Sequence, residues 1–291
     1  MQKFNYHSHT YRCKHADLDF QDEEYIKDYI KMGFRKIAFT DHCPEKNEID
    51  KRQNMRMSYK GRTEYLTTIR TLAEKYKDKI EIKVGYEVEY LPGEEENLKE
   101  LKEETDKIIL GQHFIYDDNK NLKIFGEKRG FSDEEITRYG KYLEEAMKLG
   151  IPDIIAHPDI YMLDREGFGE TESTTAHIIC KAAERYNIPL EINLNKIFLR
   201  LFYINGTIKH LSPEEKKQRF NLIKYPCKQF WEIASQYNIK VLYGLDAHHR
   251  GQILLWEELV ELAREILGEE LIQKLNFMFF STNFLQDGFM H

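Results

Sequence analysis

The sequence has little of what membranes, secretion and disorder require. Four cysteines (Cys13, Cys43, Cys180, Cys227) are scattered through 291 residues, too few and too dispersed for a disulfide scaffold. With no secretory signal in Met1-Gln2-Lys3 and the polar strand that follows, they predict reduced thiols in a cytoplasmic protein. Seven prolines and sixteen glycines are spread without clustering, so no linker, repeat or low-complexity stretch divides the chain. The best apolar run, Ile197 to Ile204, is short and broken by Arg200, which argues against a transmembrane segment. Positive charge is in deficit as well: 43 Lys and Arg against 50 Asp and Glu give a formal charge of −7. That balance argues against broad nucleic-acid binding. The expected partners are small molecules, with neither nucleic acid nor membrane among them and the oligomeric state left open.

What is present is a globular composition, with 41% hydrophobic and 32% charged residues, in a chain long enough for one large domain. Strand and helix patterns alternate. An opening strand carries Phe4 and Tyr6, and further strands are expected at Lys36–Thr40, Ile80–Val84, Lys107–Leu110, Asp153–Ala156, Pro189–Ile192 and Lys240–Leu245. Between them, helical spacing covers Asp22–Met32, Tyr65–Tyr76, Glu94–Thr105, a stretch opened by the capping box Ser132-Asp133-Glu134-Glu135 and reaching Leu149, Thr174–Tyr186, Pro226–Tyr237 and Leu255–Lys274. A second capping box lies at Ser212–Glu215, and Phe277–Phe280 reads as a terminal strand. Alternation means parallel strands joined by right-handed crossovers. Seven units closed on themselves make a distorted (β/α)7 TIM-like barrel, one α/β domain spanning 1–291, whose chemistry belongs at the C-terminal strand ends.

That rim is where the ionisable residues fall. Residues i and i+2 of a strand share a face, so His7 and His9 present two imidazoles side by side. His15, His42, His113, His157 and His248 also lie at or just past strand ends, as do Glu87 and Asp246. A single histidine in such a place is ordinarily a core residue satisfied by one hydrogen bond. Seven with two carboxylates on one rim carry an electrostatic cost that divalent metals remove, since imidazole and carboxylate are natural ligands of zinc, iron and manganese. Nine ligands suit three ions better than two. Glu89 shares a face with Glu87 and competes with it by parity. Cys13 and Cys43 flank ligand positions and are soft enough for zinc, although small buried neighbours of a site are the commoner case.

In order, the chain shows His-x-His, a nearby His, Asp-His, Gly-x-Glu, Gly-x-His, Ala-His-Pro-Asp and Gly-x-Asp-x-His. From Tyr6 to about His249 this resembles the polymerase and histidinol phosphatase family, in its histidinol-phosphate phosphatase type. The resemblance implies a trinuclear site. One metal would be held by His7, His9, Glu87 and Asp246; a second by His113 and His157, with Glu87 bridging; a third by His15, His42 and His248. Glu87, Asp246 and His248 are then the residues on which catalysis turns. It also implies hydrolysis of the phosphomonoester L-histidinol phosphate in histidine biosynthesis.

Three divalent ions less the charges of Glu87 and Asp246 leave about +4, a site that wants an anion such as a phosphomonoester dianion. Arg165 and Arg200, in loops after strands five and six, are the expected phosphate partners, with Arg250 a third candidate. Glu191 and Tyr161 are expected at the amino-alcohol and imidazole end of the substrate. The basic loop Lys51–Arg62 reads as solvated surface. Two rival readings remain: a related phosphoesterase acting on nucleotides or other small phosphomonoesters, and a non-catalytic metal-binding module.

Overall fold

The computed structural model describes residues 2–44, 55–127, 130–204, 207–208 and 211–278. Residues 51–54 of the basic loop, His210, the end of the expected terminal strand and the chain beyond it lie outside these.

Strands and helices follow one another as the alternation demands. The first half runs β1 (Phe4–Asn5), α1 (Asp22–Lys31), β2 (Lys36–His42), α2 (Arg62–Tyr76), β3 (Glu81–Val88), α3 (Glu95–Glu104) and β4 (Lys107–Leu110). A short hairpin, β5 (Phe114–Tyr116) with β6 (Leu122–Ile124), precedes α4 (Asp133–Lys148), β7 (Ile154–Ile155), α5 (Glu170–Tyr186) and β8 (Leu190–Asn193). Then come α6 (Asn195–Leu201), a second hairpin of β9 (Tyr203–Ile204) and β10 (Thr207–Ile208), α7 (Pro213–Phe220), α8 (Lys228–Ala234) and β11 (Lys240–Gly244). The chain continues through α9 (Arg250–Leu254), α10 (Trp256–Leu267), α11 (Glu269–Lys274) and β12 (Asn276–Phe277). Both predicted capping boxes form: Ser132 and Ser212 each accept the N–H of the glutamate three residues on, whose carboxylate accepts the serine N–H in return.

The main sheet is parallel throughout, in the order β1-β2-β3-β4-β7-β8-β11-β12. It curls until β1 meets β11. At the C-terminal rim the contact is direct, His9 N–H donating to Ala247 O at 2.9 Å and Ala247 N–H to His7 O at 3.2 Å. Lower down, side-chain amides replace backbone. Gln2 exchanges hydrogen bonds with both backbone groups of Tyr243 (2.8 and 3.0 Å), and Asn5 accepts the Leu245 N–H at 2.9 Å. The seven expected strands make the barrel, and β12 is an eighth at the foot of β11. No described helix is long and apolar enough to cross a membrane.

Alternation assigns one face of each strand to the helices and the other to the barrel interior. Outward residues such as Ile37, Phe39, Ile82, Val84, Ile108, Leu110, Ile192 and Val241 belong to the large core between sheet and helices. Inward, Phe4, Tyr6, Ala38, Ile109, Ile154, Ala156 and Leu242 close the barrel floor. Two strands run past their expected ends: β2 continues from Thr40 to His42, and β3 is extended further. β3 runs on to Val88 rather than stopping at Val84, because its pairing with β2 continues to His42↔Glu87. Gly85, just past the expected end, lies inside the strand: a Cβ there would sit 1.8 Å from Lys107 O. The apolar loop expected after the sixth strand is α6, which buries Ile197, Phe198 and Leu201.

Candidate metal centre

Above the apolar floor, two glycines clear space for carboxylates. A Cβ on Gly111 would fall 1.7 Å from Glu87 Oε1, and one on Gly244 2.0 Å from Glu191 Oε2. The inward faces of β2, β3, β8 and β11 then raise His42, Glu87, Asn193 and Asp246 to the rim, all buried. His157 (φ 30°) and Asp246 (φ 48°) occupy the left-handed region, strain that a packed site can impose. His7 and His9 lie side by side as predicted, ring centroids 5.1 Å apart, although β1 proper ends at Asn5.

Glu87 is the hub. Its carboxylate lies 2.9 Å from His157 Nε2, 2.9 Å from His42 Nδ1, 3.4 Å from His9 Nε2, 3.5 Å from His7 Nε2 and 3.8 Å from His113 Nε2. Asp246 Oδ1 sits 3.0 Å from His9 Nε2, 3.4 Å from His7 Nε2 and 3.2 Å from His248 Nδ1. His15 stacks over this end, its ring 4.6 Å from that of His248 and 5.1 Å from that of His42. Sets of ligand atoms close enough to share an ion are His7, His9 and Asp246; His7, Glu87 and His157; His9, His42 and Glu87; and His15, His42 and His248. Cys13 joins His9 and His248 in a further set.

Glu87 and Glu89, which share a face of β3, differ in their contacts. Glu89 accepts from His113 Nδ1 (2.8 Å) and from the His113 N–H (2.7 Å). It aims His113 at Glu87 and stands behind the rim. Other imidazoles are held from behind in the same way: His7 Nδ1 by Glu191 at 2.9 Å, His15 Nδ1 by Cys13 O at 2.9 Å, His248 Nδ1 by Asp246 O at 3.0 Å. Fixing one ring nitrogen leaves the other bare and pointing inward. His7 Nε2, His9 Nε2, His248 Nε2 and Glu87 Oε2 are indeed buried without a hydrogen-bond partner. Orphaned polar atoms converging in one place are costly unless a cation takes them, so the donor set fits divalent metals.

Electrostatics divides the cluster. Burial opposes protonation of His7, but Glu191, Asp246 and Glu87 outweigh it and hold the pKa well above the usual value. His9 is likewise raised to about 9 against burial, by the carboxylates of Asp246 and Asp41 beside it. At the other end, burial and the charge of His9 push His248 down to about 4 and His42 well below its usual value. Glu87 and Asp246 stay ionised despite burial because of the histidines around them. The result is two anions, protonated rings beside them, and neutral rings facing inward; metal cations are the natural replacement for those protons.

The residues expected to contact substrate are placed differently. Arg165 does not reach across the rim: its guanidinium binds Glu172, Asp133 (2.7 Å) and Phe131 O (3.1 Å), tying three segments together. Tyr161 is fully buried and donates to Glu172 O at 3.0 Å, so it is core. Glu191 is the anchor of His7, also bonded by Asn193 Nδ2 at 2.6 Å. Arg250 pairs with Asp28 at 2.6 Å on the outer surface. Arg200 is exposed at the end of α6. Glu89 was weighed as a rival ligand to Glu87 and is here the partner of His113, while Asp41, 3.4 Å from His9 Nδ1, was not singled out although it stands next to His42.

Known proteins support the reading of the fold. The chain is 24% identical over 278 residues to the histidinol-phosphatase of Bacillus subtilis, covering 87% of this chain and 96% of that one. A solved structure from Listeria monocytogenes, assigned to the histidinol phosphatases, superposes with a TM-score of 0.69 at 21% identity, covering 86% of this chain and 97% of that one. The histidinol phosphate phosphatase of Lactococcus lactis, solved with zinc, L-histidinol and phosphate, superposes with a TM-score of 0.60 at 18% identity, covering 90% and 93%. Residues 5–195, which carry His7 through Glu191, match the PHP domain family, and the chain belongs to that family.

Proposed function

We propose that the protein is a metal-dependent phosphomonoesterase that hydrolyses L-histidinol phosphate to L-histidinol and phosphate. The observation that carries this is that His7 Nε2 and His9 Nε2 both face Glu87 Oε2, at 3.5 and 3.4 Å, all three buried and without a hydrogen bond. The nine rim residues would divide among three ions as the family resemblance implies: His7, His9 and Asp246 with Glu87; Glu87 with His157 and His113; and His15, His42 and His248; the close sets His7, His9 and Asp246 and His15, His42 and His248 support two of these. Divalent zinc, iron or manganese would supply Lewis acidity toward phosphoryl oxygens and an acidified water as nucleophile. The chain's own part is to position. Glu191, Glu89 and Asp41 lock the rings of His7, His113 and His9, and the excess positive charge of the loaded rim draws a phosphate dianion. Arg200, exposed in the last turn of α6, is the candidate outer cation. The names of the curated and structural relatives favour the same substrate.

The test is phosphate release by metal-replete protein from a panel that includes histidinol phosphate, nucleoside monophosphates and p-nitrophenyl phosphate. Histidinol phosphate should give the highest kcat/KM by at least about tenfold. Preference for a nucleotide would reassign the substrate, and no release from any member would return the protein to a metal-binding module.

A further inference from the structure

With Arg165 withdrawn into ion pairs, none of the expected arginines supplies a side-chain cation to the phosphoryl group deep in the site. Among the described residues, four basic side chains of the surrounding segments are committed elsewhere. Arg12 is bound by Asp22 and Glu64, Arg56 donates to Cys43 O, Arg250 pairs with Asp28, and Lys224 donates to Arg165 O. Lys196 differs. It stands in the first turn of α6, immediately after β8 has delivered Asn193 to the barrel interior. Its neighbour Asn195 donates to Asp246 O at 3.2 Å and lies 3.5 Å from His248 Nδ1, so this turn of chain is laid against the ligand end of β11. The Lys196 ammonium lies over the face of Tyr225, 5.9 Å from its centroid, and that ring is 6.1 Å from His157. The side chain is part-buried, the charges it senses are Asp246 and, four residues on along the helix, Arg200, and no carboxylate pairs with it. A part-buried ammonium held by an aromatic face beside a metal centre, and left unpaired, is a cation reserved for a ligand.

We propose that Lys196 is the inner phosphate-binding residue of this site, with Tyr225 the wall that holds its side chain over the metal centre. The proposal deepens the phosphatase reading and rests on it. Lysine offers a compact point charge with three donors, suited to a phosphoryl oxygen at the depth that Arg165 does not reach.

The experiment compares wild type with Lys196→Met and Lys196→Arg, each metal-loaded. It reads metal content, KM for p-nitrophenyl phosphate and the inhibition constant of inorganic phosphate. Lys196→Met should keep its metal, with both constants rising about tenfold or more, while Lys196→Arg stays within a few-fold of wild type. An unchanged phosphate inhibition constant in Lys196→Met, in a protein that still turns over, would overturn the proposal and leave the phosphatase reading standing. Loss of metal would overturn it too, since Lys196 would then be part of the support for the centre. If wild type releases no phosphate from any ester, that reading fails separately. Calorimetric titration with inorganic phosphate then decides: binding weakened in Lys196→Met supports the role, equal binding refutes it. Should Lys196→Met not fold, Lys196→Gln takes its place in every comparison.

Discussion

At the scale of single residues, the centre is built from pairs in which one group binds inward and another holds it. Glu87 and Glu89 are two residues apart on one face of a strand, yet their contacts separate their jobs. Glu87→Gln keeps the shape and removes the charge on which His7, His9, His42, His113 and His157 converge. Metal analysis should show the loss of at least one ion per chain and turnover reduced by orders of magnitude. Glu89→Gln should retain full stoichiometry at saturating metal, with affinity weakened by roughly 10–100-fold as His113 loses its anchor. Retention in the first variant with loss in the second would exchange the two roles. Asp159 makes a separate prediction. Its buried carboxyl accepts the Cys227 N–H (2.6 Å) and Trp231 Nε1–H (3.2 Å), and burial raises its pKa to about 7. A raised carboxyl pKa means the folded state holds a proton that the unfolded chain has released. The stabilisation is therefore present below about pH 4 and lost as pH rises through 7. Metal-free Asp159→Asn should match wild type in thermal stability near pH 4 and exceed it at pH 8, by a margin of up to about 4 kcal/mol. Parallel melting-temperature profiles would show that Asp159 does not titrate in this range.

At the scale of elements, two devices shape the barrel: glycines that admit carboxylates and amides that stand in for backbone. Asn5 is the clearest of the second kind. Its carboxamide contacts His7 O, Ser8 Oγ and the Tyr29 hydroxyl, each at 2.9 Å, besides accepting the Leu245 N–H. Truncation in Asn5→Ala leaves several buried groups unpaired at the seam between β1 and β11, beside His7 and His9. Denaturant unfolding should show a loss of about 2–4 kcal/mol. A loss below about 0.5 kcal/mol would mean that the seam closes without the amide. This scale also shows what sequence patterning conceals. Strand and helix existence was legible because inward and outward positions alternate cleanly on β2, β3 and β11. The end of β3 was not: Gly85 signals a break in a single strand, and only the approach of Lys107 O shows why a glycine sits mid-strand. α6 was hidden because it is only seven residues long, too short for the polar face of Asn195, Lys196 and Arg200 to register as helical periodicity.

At the scale of the molecule, the nine rim residues could be grouped from sequence because they sit at or just past the ends of six strands, β1, β2, β3, β4, β7 and β11, and a parallel barrel gathers such ends at one mouth. Substrate contacts could not. Arg165 sits in a fitting loop, but Glu172 and Asp133 compete for its guanidinium, and pairing across separate helices leaves no mark in sequence. Tyr161 and Glu191 failed for the same reason, one drawn into the core by packing, the other drawn to His7 by charge. Lys196 went unnoticed because a single lysine within an apolar stretch looks like surface. The most direct test of metal-dependent phosphomonoester hydrolysis at this mouth is a titration. Chelated protein is reloaded stepwise with zinc or manganese, and phosphate release from histidinol phosphate is followed against bound metal measured by elemental analysis. Activity should be absent from the metal-free protein and reach its plateau at about three ions per chain. Full activity with no metal bound, or none with the centre filled, would contradict it.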